Sequence, residues 1–361
     1  MSTIKVLHVI ARMNVGGTAR YVGNLVENIP NSSLATGYVQ GSEIEDPVVK
    51  RINPYRIAHL GRRISLLNDF RAWMELRELI QEMQPGIVHT HTFKAGLIGR
   101  LVGGNHKRVH TFHGHLFADK SFSLFKKIVI VAVEKFLANR TDLLISVGVR
   151  VGIELRTEGV GTNRNWSSIA PGVNPLQNVD KTQARELLGL GQDQIIFGWM
   201  ARMVPVKNPY LLLEVAKRLP SVQFVMAGGG ELLIEIRAAT STNVSVIGWV
   251  DSADFWSAVD CALSTSDNEG MPIALIEAQL AGIPVIATDV GSNSEVIIHE
   301  STGLLTHPDI TSLVAAVQRL LEEPELRSSM GSAAKIWATK TFAEDKMLND
   351  HLQIYQKLSP H

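Results

Sequence analysis

The stretch CALSTSDNEGMPIALIEAQLAGIPVIATD, residues 261–289, reads as strand, loop, helix and strand in succession. Cys261 to Thr265 and Pro284 to Asp289 are apolar runs of strand length. Between them a polar, glycine-bearing loop leads to Pro272, which suits a first helical turn, and to the apolar Leu275, Ile276 and Ala278. Such a unit has parallel strands joined by a helical crossover. The same grammar extends upstream through QIIFGWM, VQFVMAG and VSVIGWV. Beyond a Pro/Gly hinge at APGVNP it covers the first half as KVLHVI, TGYVQ, GIVHT, RVHTF, DLLIS and SSIA. Helical patterns fall near Ala19 to Asn28, Leu66 to Met83, Ala95 to Val102, Ser123 to Asn139 and Val149 to Thr157. The reading is an α/β protein with two doubly wound, Rossmann-like domains in tandem. Thr341 to Leu358 reads as one amphipathic helix that either caps the second domain or crosses back onto the first.

The 361 residues suffice for two such domains, and 45% hydrophobic against 19% charged residues excludes a disordered chain. The single cysteine, Cys261, permits no intrachain disulfide and fits a reducing compartment. MSTIKVLHVIARMNVGG reads as a first strand, not a signal peptide. No run approaches the roughly 20 apolar residues of a membrane span. The net charge of zero hides an uneven distribution. Residues 1–170 carry 22 Lys and Arg against 13 Asp and Glu, and the remainder carries the reverse. That points to an anionic partner for the first half, with phospholipid headgroups, a lipid-linked phosphate and nucleic acid as candidates.

In open parallel sheets ligands bind beyond the carboxyl ends of the strands, so the strand-to-helix junctions are where chemistry is expected. Gly16 and Gly17 open the first helix and suit either a tight turn or an anion held by helix N–H groups. The full G-x-G-x-x-G fingerprint is absent, which argues against a dinucleotide enzyme. Histidines crowd the next junctions at His89, His91, His110, His113 and His115. Without a Cys or an H-E-x-x-H helix beside them a metal site is not expected. His113, in a glycine-bearing turn, is better placed as a hydrogen-bond donor, while His89 and His110 read as buried packing. In the second domain Arg202 and Lys207 put two cations after a strand, able to neutralise a diphosphate. Gly228, Gly229 and Gly230 permit a tight turn or close ligand approach. Trp249 and Val250 offer an aromatic plane and backbone groups to a nucleobase. Glu269 precedes Gly270, and Glu277 lies inside the following helix among apolar neighbours, where sugar or ribose hydroxyls or a salt bridge would satisfy it.

At these residues the sequence resembles the retaining glycosyltransferases of the GT-B fold, family 4, the bacterial polysaccharide and lipid-linked glycan type. The resemblance covers nearly the whole chain. It rests on Gly16-Gly17, VHTHTFKAGLIGRL, HTFHGH, APGVN, ARMVPVKNP, the segment NEGMPIALIEAQLAGIPVIATDVGSNSEVI and STGLL. Glu269 and Glu277 match the family's hallmark pair. The resemblance implies two domains, 1–173 for the acceptor and 174–342 for the nucleotide-sugar donor, facing a central cleft, with a crossing helix over 343–361. It implies that Arg202 and Lys207 hold the donor diphosphate and that Glu269, with the backbone of Gly270, Met271 and Ile273, orients the sugar. Glu277 would bind the ribose, Trp249 and Val250 the base, Gly16 and Gly17 a phosphate, while His113 would sit at the reacting centre. Gly228-Gly229-Gly230-Glu231 departs from the family's usual turn, and Gln279 replaces a frequent methionine.

The expected activity is hexosyl or N-acetylhexosaminyl transfer from a nucleotide-diphosphate sugar, a UDP-sugar foremost, to a glycan or lipid-linked acceptor, by a front-face mechanism without a metal or other cofactor. Further expectations are a cytoplasmic protein, peripheral at the inner face of the plasma membrane through an anionic surface contacted by Arg62, Arg63 and Phe122 to Lys127, and no nucleic-acid partner. The competing readings are a sugar-nucleotide epimerase, which needs no acceptor, and a non-catalytic nucleotide-sugar-binding protein.

Overall fold

The computed structural model describes residues 4–41, 43–61, 64–114, 123–177 and 179–358. The chain divides into two compact units, Met1–Gly172 together with Glu344–His361, and Val173–Ala343.

In the first unit the strands are β1 (Val6–Ile10), β2 (Ser32–Thr36), β3 (Tyr55–Arg56), β4 (Ile87–His91), β5 (Lys107–Phe112), β6 (Leu143–Ser146) and β7 (Trp166–Ser168). Among the described residues they form one seven-stranded parallel sheet in the order β3-β2-β1-β4-β5-β6-β7. Chain order reverses between β1 and β4, the position at which doubly wound sheets open a crevice beyond their strand ends. The helices are α1 (Gly17–Asn28), α2 (Val48–Ile52), α3 (Leu66–Met83), α4 (Phe93–Gly99), α5 (Leu124–Ala138) and α6 (Val149–Thr157), joined by the C-terminal α15 (Glu344–Leu358). All five residues of β1 and all five of β4 are buried, as a sheet covered on both faces requires. For β4 that burial includes His89 and His91, polar groups that must then find partners inside the unit.

The second unit holds β8 (Ile196–Met200), β9 (Gln223–Ala227), β10 (Val244–Gly248), β11 (Cys261–Ser264), β12 (Val285–Thr288) and β13 (Gly303–Thr306) in the parallel order β10-β9-β8-β11-β12-β13. Its helices are α7 (Lys181–Leu188), α8 (Pro209–Arg218), α9 (Leu233–Ala239), α10 (Ser252–Ala258), α11 (Ile273–Leu280), α12 (Asn293–Val296), α13 (Ile310–Glu322) and α14 (Pro324–Thr341). Phe197, Trp199, Phe224 and Leu263 from the strands pack with Leu212, Val215, Val317 and Leu320 from α8 and α13. Each such side chain contributes about 1.5–3 kcal/mol on burial, enough for this core to carry its unit without a cross-link.

The two-domain α/β architecture thus matches the sequence reading, with four differences in detail. The run TGYVQ is not a strand. β2 lies upstream at Ser32–Thr36, where it tracks β1 from Val6↔Ser32 to Ile10↔Thr36; one further bond, from the Gly37 amide to Ala11 O (3.2 Å), follows, and Tyr38 is exposed. The short β3 and α2 carry little periodicity and were not expected, and β13 completes the second sheet through residues of the STGLL segment. The helix read over Thr341 to Leu358 is α15, which starts three residues later at Glu344 because α14 ends at Thr341, and it belongs to the first unit.

Candidate active site

Arg202 and Lys207 lie between β8 and α8, where Pro205–Lys207 form one 3-10 turn. Asn208, at φ 45°, caps α8 by accepting from the Leu211 amide. This loop is laced to the one after β11. Thr265 Oγ1 donates towards the carbonyls of Lys207 and Asn208 (3.2 and 2.9 Å), Trp199 Nε1 donates to Thr265 Oγ1 (3.1 Å), and the Asp267 amide donates to Val206 O (2.9 Å). Lys207 Nζ is thereby held against both carboxylate oxygens of Glu269, at 2.5 and 2.6 Å. Ser266 Oγ donates to Glu269 Oε1 at 2.7 Å. Glu269 is 7% exposed, and the ion pair is what makes its burial tolerable. Arg202 is exposed, and no described residue pairs with its guanidinium.

Past Glu269 the backbone turns through Gly270 and Met271 into α11, with Pro272 as the residue before its first turn and no side-chain cap. The amides of Gly270, Met271 and Ile273 donate to no described acceptor, so this turn presents free N–H groups of the kind that bind oxyanions and hydroxyls. Glu277, on the same helix and 3% exposed, accepts from Ser252 Oγ of α10 at 3.3 Å. Trp249 is half exposed, with its indole over Gly229: a Cβ there would lie 2.5 Å from Trp249 Nε1. Val250 follows at the start of the turn into α10. The Gly228–Gly230 run is occupied with its own neighbours. Gly228 and Gly230 take φ +120° and +147° with their α-carbons against the Ala201 and Met203 carbonyls, and the Met203 amide donates to Gly229 O (2.8 Å). These glycines form a tight turn, one of the two sequence readings for them.

In the first unit Gly16 precedes α1 at φ 148°, ψ 176°, a conformation glycine adopts freely, and no side chain caps the helix. A Cβ at Gly16 would meet nothing within 4 Å, and the Gly17 amide donates to no described acceptor. Beside it, at the ends of β1, β4 and β5, the histidines converge. The register sets His8 beside His89 and His91 beside Thr111, two residues before His113. His113 Nε2 lies 3.1 Å from His91 Nδ1, and His91 Nε2 lies 3.1 Å from His8 Nδ1. His89 has both ring nitrogens engaged, Nδ1 with Tyr355 OH (2.6 Å) and Nε2 with Thr111 Oγ1 (2.7 Å). His351 Nδ1 donates to Met347 O (2.8 Å), which leaves Nε2 to accept from Tyr21 OH (3.2 Å). Burial pushes His8 and His113 down to about 3 and His351 to about 4, and holds His89 and His91 well below the ordinary histidine value. All five are neutral at pH 7. His110 is buried as expected, with Nδ1 on Thr90 Oγ1 at 2.8 Å.

His8, His89 and His91 are close enough together to be considered as metal ligands. Their ring nitrogens, however, are spent on one another and on hydroxyl groups, leaving His8 Nε2 as the one without a partner among the described residues. No described cysteine or carboxylate joins them.

Residues 16–165 match the description "Glycosyl transferase 4-like domain", and residues 180–337 match "Glycosyl transferases group 1". The chain belongs to the GT-B, family 4-like glycosyltransferases. A curated relative, the UDP-Gal:alpha-D-GlcNAc-diphosphoundecaprenol alpha-1,3-galactosyltransferase of Escherichia coli, is 28% identical over 350 residues, covering 90% of each chain. The putative glycosyltransferase EpsD of Bacillus subtilis is 25% identical over 308 residues, 80% of each chain. Among solved structures, Anabaena HepE in complex with UDP-glucose superposes with a TM-score of 0.84 at 18% identity, over 98% of this chain and 100% of that one. Sucrose-phosphate synthase of Thermosynechococcus elongatus gives 0.82 at 22% identity, over 98% and 99%. These structures share the fold.

In this glycosyltransferase the second unit brings Lys207 and Glu269 into contact, while Arg202 follows β8, Trp249 follows β10 and Glu277 lies within α11. Sequence reasoning missed Ser266 and Ser252, which hold the two carboxylates. It also missed His8, Tyr21, His351 and Tyr355, which complete the histidine cluster. Hydroxyls near a carboxylate carry no pattern, and the cluster depends on a register and a returning helix. Arg62, Arg63, His115 and Phe122 lie outside the described residues. Arg12, Arg51 and Lys127 are paired with Glu43, Glu27 and Glu158. No helix among the described residues is long and apolar enough to cross a membrane.

Proposed function

We propose that the enzyme is a retaining glycosyltransferase that moves a hexose or N-acetylhexosamine from a UDP-sugar to a lipid-linked glycan. The observation that carries this reading is the clamp of Lys207 on Glu269 beside the free amides of Gly270, Met271 and Ile273. A cation, a hydrogen-bonding carboxylate and oriented N–H groups at one loop suit a sugar diphosphate. Lys207 and Arg202 offset the charge that grows on the departing phosphate, Glu269 and the following amides orient the sugar hydroxyls, Glu277 accepts from the ribose, and Trp249 with Val250 takes the uracil. In the first unit the N–H groups after Gly16 and at Gly17 suit a phosphate, and His113 offers its imidazole to the reacting sugar.

The step needs no protein nucleophile. The bond from the sugar's C1 to the β-phosphate oxygen breaks, the acceptor oxygen bonds C1 on the same face, and the acceptor's hydroxyl proton passes to the departing phosphate. No metal enters, because Lys207, Arg202 and the helix-terminal amides answer the charge at the diphosphate. The E. coli relative named for UDP-galactose and a GlcNAc-diphospholipid, together with the UDP complexes of HepE, favours uridine and a polyprenyl diphosphate acceptor. Leu124 and Phe125, three-quarters exposed, and Ile128 lie on α5 with Lys126 and Lys127 among them, the composition of a helix that rests on an anionic membrane face on the cytoplasmic side.

Calorimetry with UDP, GDP and ADP, on the native chain and on Lys207→Ala, tests the donor site. Binding of UDP alone, weakened by the substitution, is expected. Binding indifferent to Lys207, or of another nucleotide, contradicts the reading. Flotation with vesicles containing anionic lipid tests the surface, and a protein that stays in the dense fraction at low salt would remove it.

A further inference from the structure

The structure shows a file of three imidazoles that leads inward from His113. His113 Nε2, His91 Nδ1, His91 Nε2 and His8 Nδ1 follow in series, with 3.1 Å across each gap between rings. His8 and His91 stack with an interplanar angle of 18°. Beyond His8 the file ends, because His8 Nε2 is buried and has no partner among the described residues. Tyr21, fixed by its bond to His351, stands edge-on to His113 with ring centroids 4.9 Å apart, so the ring of His113 is constrained from a second side. His113 Nδ1, the last nitrogen of the series, is engaged by no described residue.

A neutral imidazole carries one N–H, so two N···N hydrogen bonds in series force all three rings into the same tautomer. There are two solutions. Either every ring is protonated on Nδ1, or every ring is protonated on Nε2. The second strands an N–H on His8 in a place with no acceptor, and the first strands only a bare ring nitrogen. Orphaned buried donors are the rarer and costlier arrangement. We propose that His91 and His8 are positioning residues that fix His113 in its Nδ1–H tautomer, so that it meets the substrate as a hydrogen-bond donor to a sugar hydroxyl or phosphate oxygen. This rests on the reading of His113 as a substrate-facing group. His91 and His8 touch no substrate and act through the ring they hold.

The test uses the full chain with 15N-labelled histidine, and long-range proton–nitrogen spectra that assign the protonated nitrogen of His113. Two substitutions at His91 separate the links. His91→Asn places an amide where Nδ1 was and keeps the contact to His113, while His91→Gln places it where Nε2 was and keeps only the contact to His8. The expected result is Nδ1–H at His113 in the native chain and a mixture of tautomers in His91→Asn, whose amide can donate to or accept from His113 once His8 no longer sets its direction. In His91→Gln the expectation is loss of that tautomer, with kcat down roughly tenfold, the worth of one oriented hydrogen bond, and little change in donor KM. An Nε2–H His113 in the native chain, or an unchanged tautomer in His91→Gln, overturns the proposal. So does a joint shift of the His8, His89 and His91 resonances on adding Zn2+, which would make the file a metal site. Normal turnover in His113→Ala would instead refute the role of His113 and leave the tautomer result standing.

Discussion

The two units share one strand grammar and solve the problem of polar groups at strand ends in opposite ways. In the second, the loops after β8 and β11 hold charges against each other near the surface, with Lys207 on Glu269 and Ser266 behind them. In the first, the ends of β1, β4 and β5 hold neutral imidazoles, shut in by Tyr21 and by His351 and Tyr355 of α15. A charged loop can regroup around a diphosphate, because Lys207 is part-exposed and its partners are side chains. A buried file of rings is set before substrate arrives and presents one fixed face. Under the proposed function, charge compensation falls to one unit and hydrogen-bond orientation to the other.

Acid separates the two units most strongly. His8, His113 and His351 have folded pKa values of about 3, 3 and 4 against 6.5 when unfolded. The unfolded chain therefore binds protons that the native one refuses. The stability involved is fully present above pH 6.5 and is lost as the pH falls towards 3 to 4, by about 1.4 kcal/mol per pH unit for each ring. The histidines described in the second unit, His299 and His307, are exposed. Hydrogen exchange between pH 7 and 4 is expected to show amides of β1, β4 and β5 opening before those of β8 and β11, and simultaneous opening would break the contrast.

A buried ion pair gives the next effect. Arg100 and Glu134, both under 5% exposed, are joined at 2.7 Å between α4 and α5. Glu134→Ala leaves a guanidinium buried without its anion, and a loss of about 3–5 kcal/mol is expected in denaturant unfolding. A change under 1 kcal/mol would mean that water reaches Arg100 as easily as it reaches Lys207.

Lys207→Ala is expected to lower kcat about 10²- to 10³-fold and to lower stability by less than Glu134→Ala does, since Lys207 is part-exposed and Ser266 still donates to the buried Glu269. An equal fall in stability and activity would show that the lysine only supports Glu269. Glu277→Gln is the mildest. It keeps the shape and removes the charge that receives the ribose, so UDP binding by calorimetry is expected to weaken about tenfold. Unchanged affinity would show that this buried carboxylate serves contacts within its own unit and not the nucleotide.

How legible all this was depended on whether a residue's partner lies nearby in sequence. The helices Leu66–Met83 and Val149–Thr157 and the strands at β1, β4 and β8 follow from periodicity, which is local. Lys207 and Glu269 were legible because each follows an apolar run that had to be a strand, and strand ends in such sheets face the ligand. The link between them was not, since it needs β8 and β11 to be neighbours in the sheet. His8 was unread because its partner stands 83 residues away, across two strands, and Tyr355 because it returns on α15 to a strand 266 residues earlier. TGYVQ was misread because its β-branched composition is a local signal, and the register with β1 overrode it.

The most direct measurement is the anomeric configuration of the product formed from a UDP-sugar with a 13C label at C1 and a polyprenyl-diphosphate-linked acceptor, followed by NMR for the native enzyme and for Lys207→Ala. The account predicts an α-linked product from an α-linked donor, formed by the native chain and nearly absent with the variant. A β-linked product, or release of free sugar and UDP with no transfer, would contradict it.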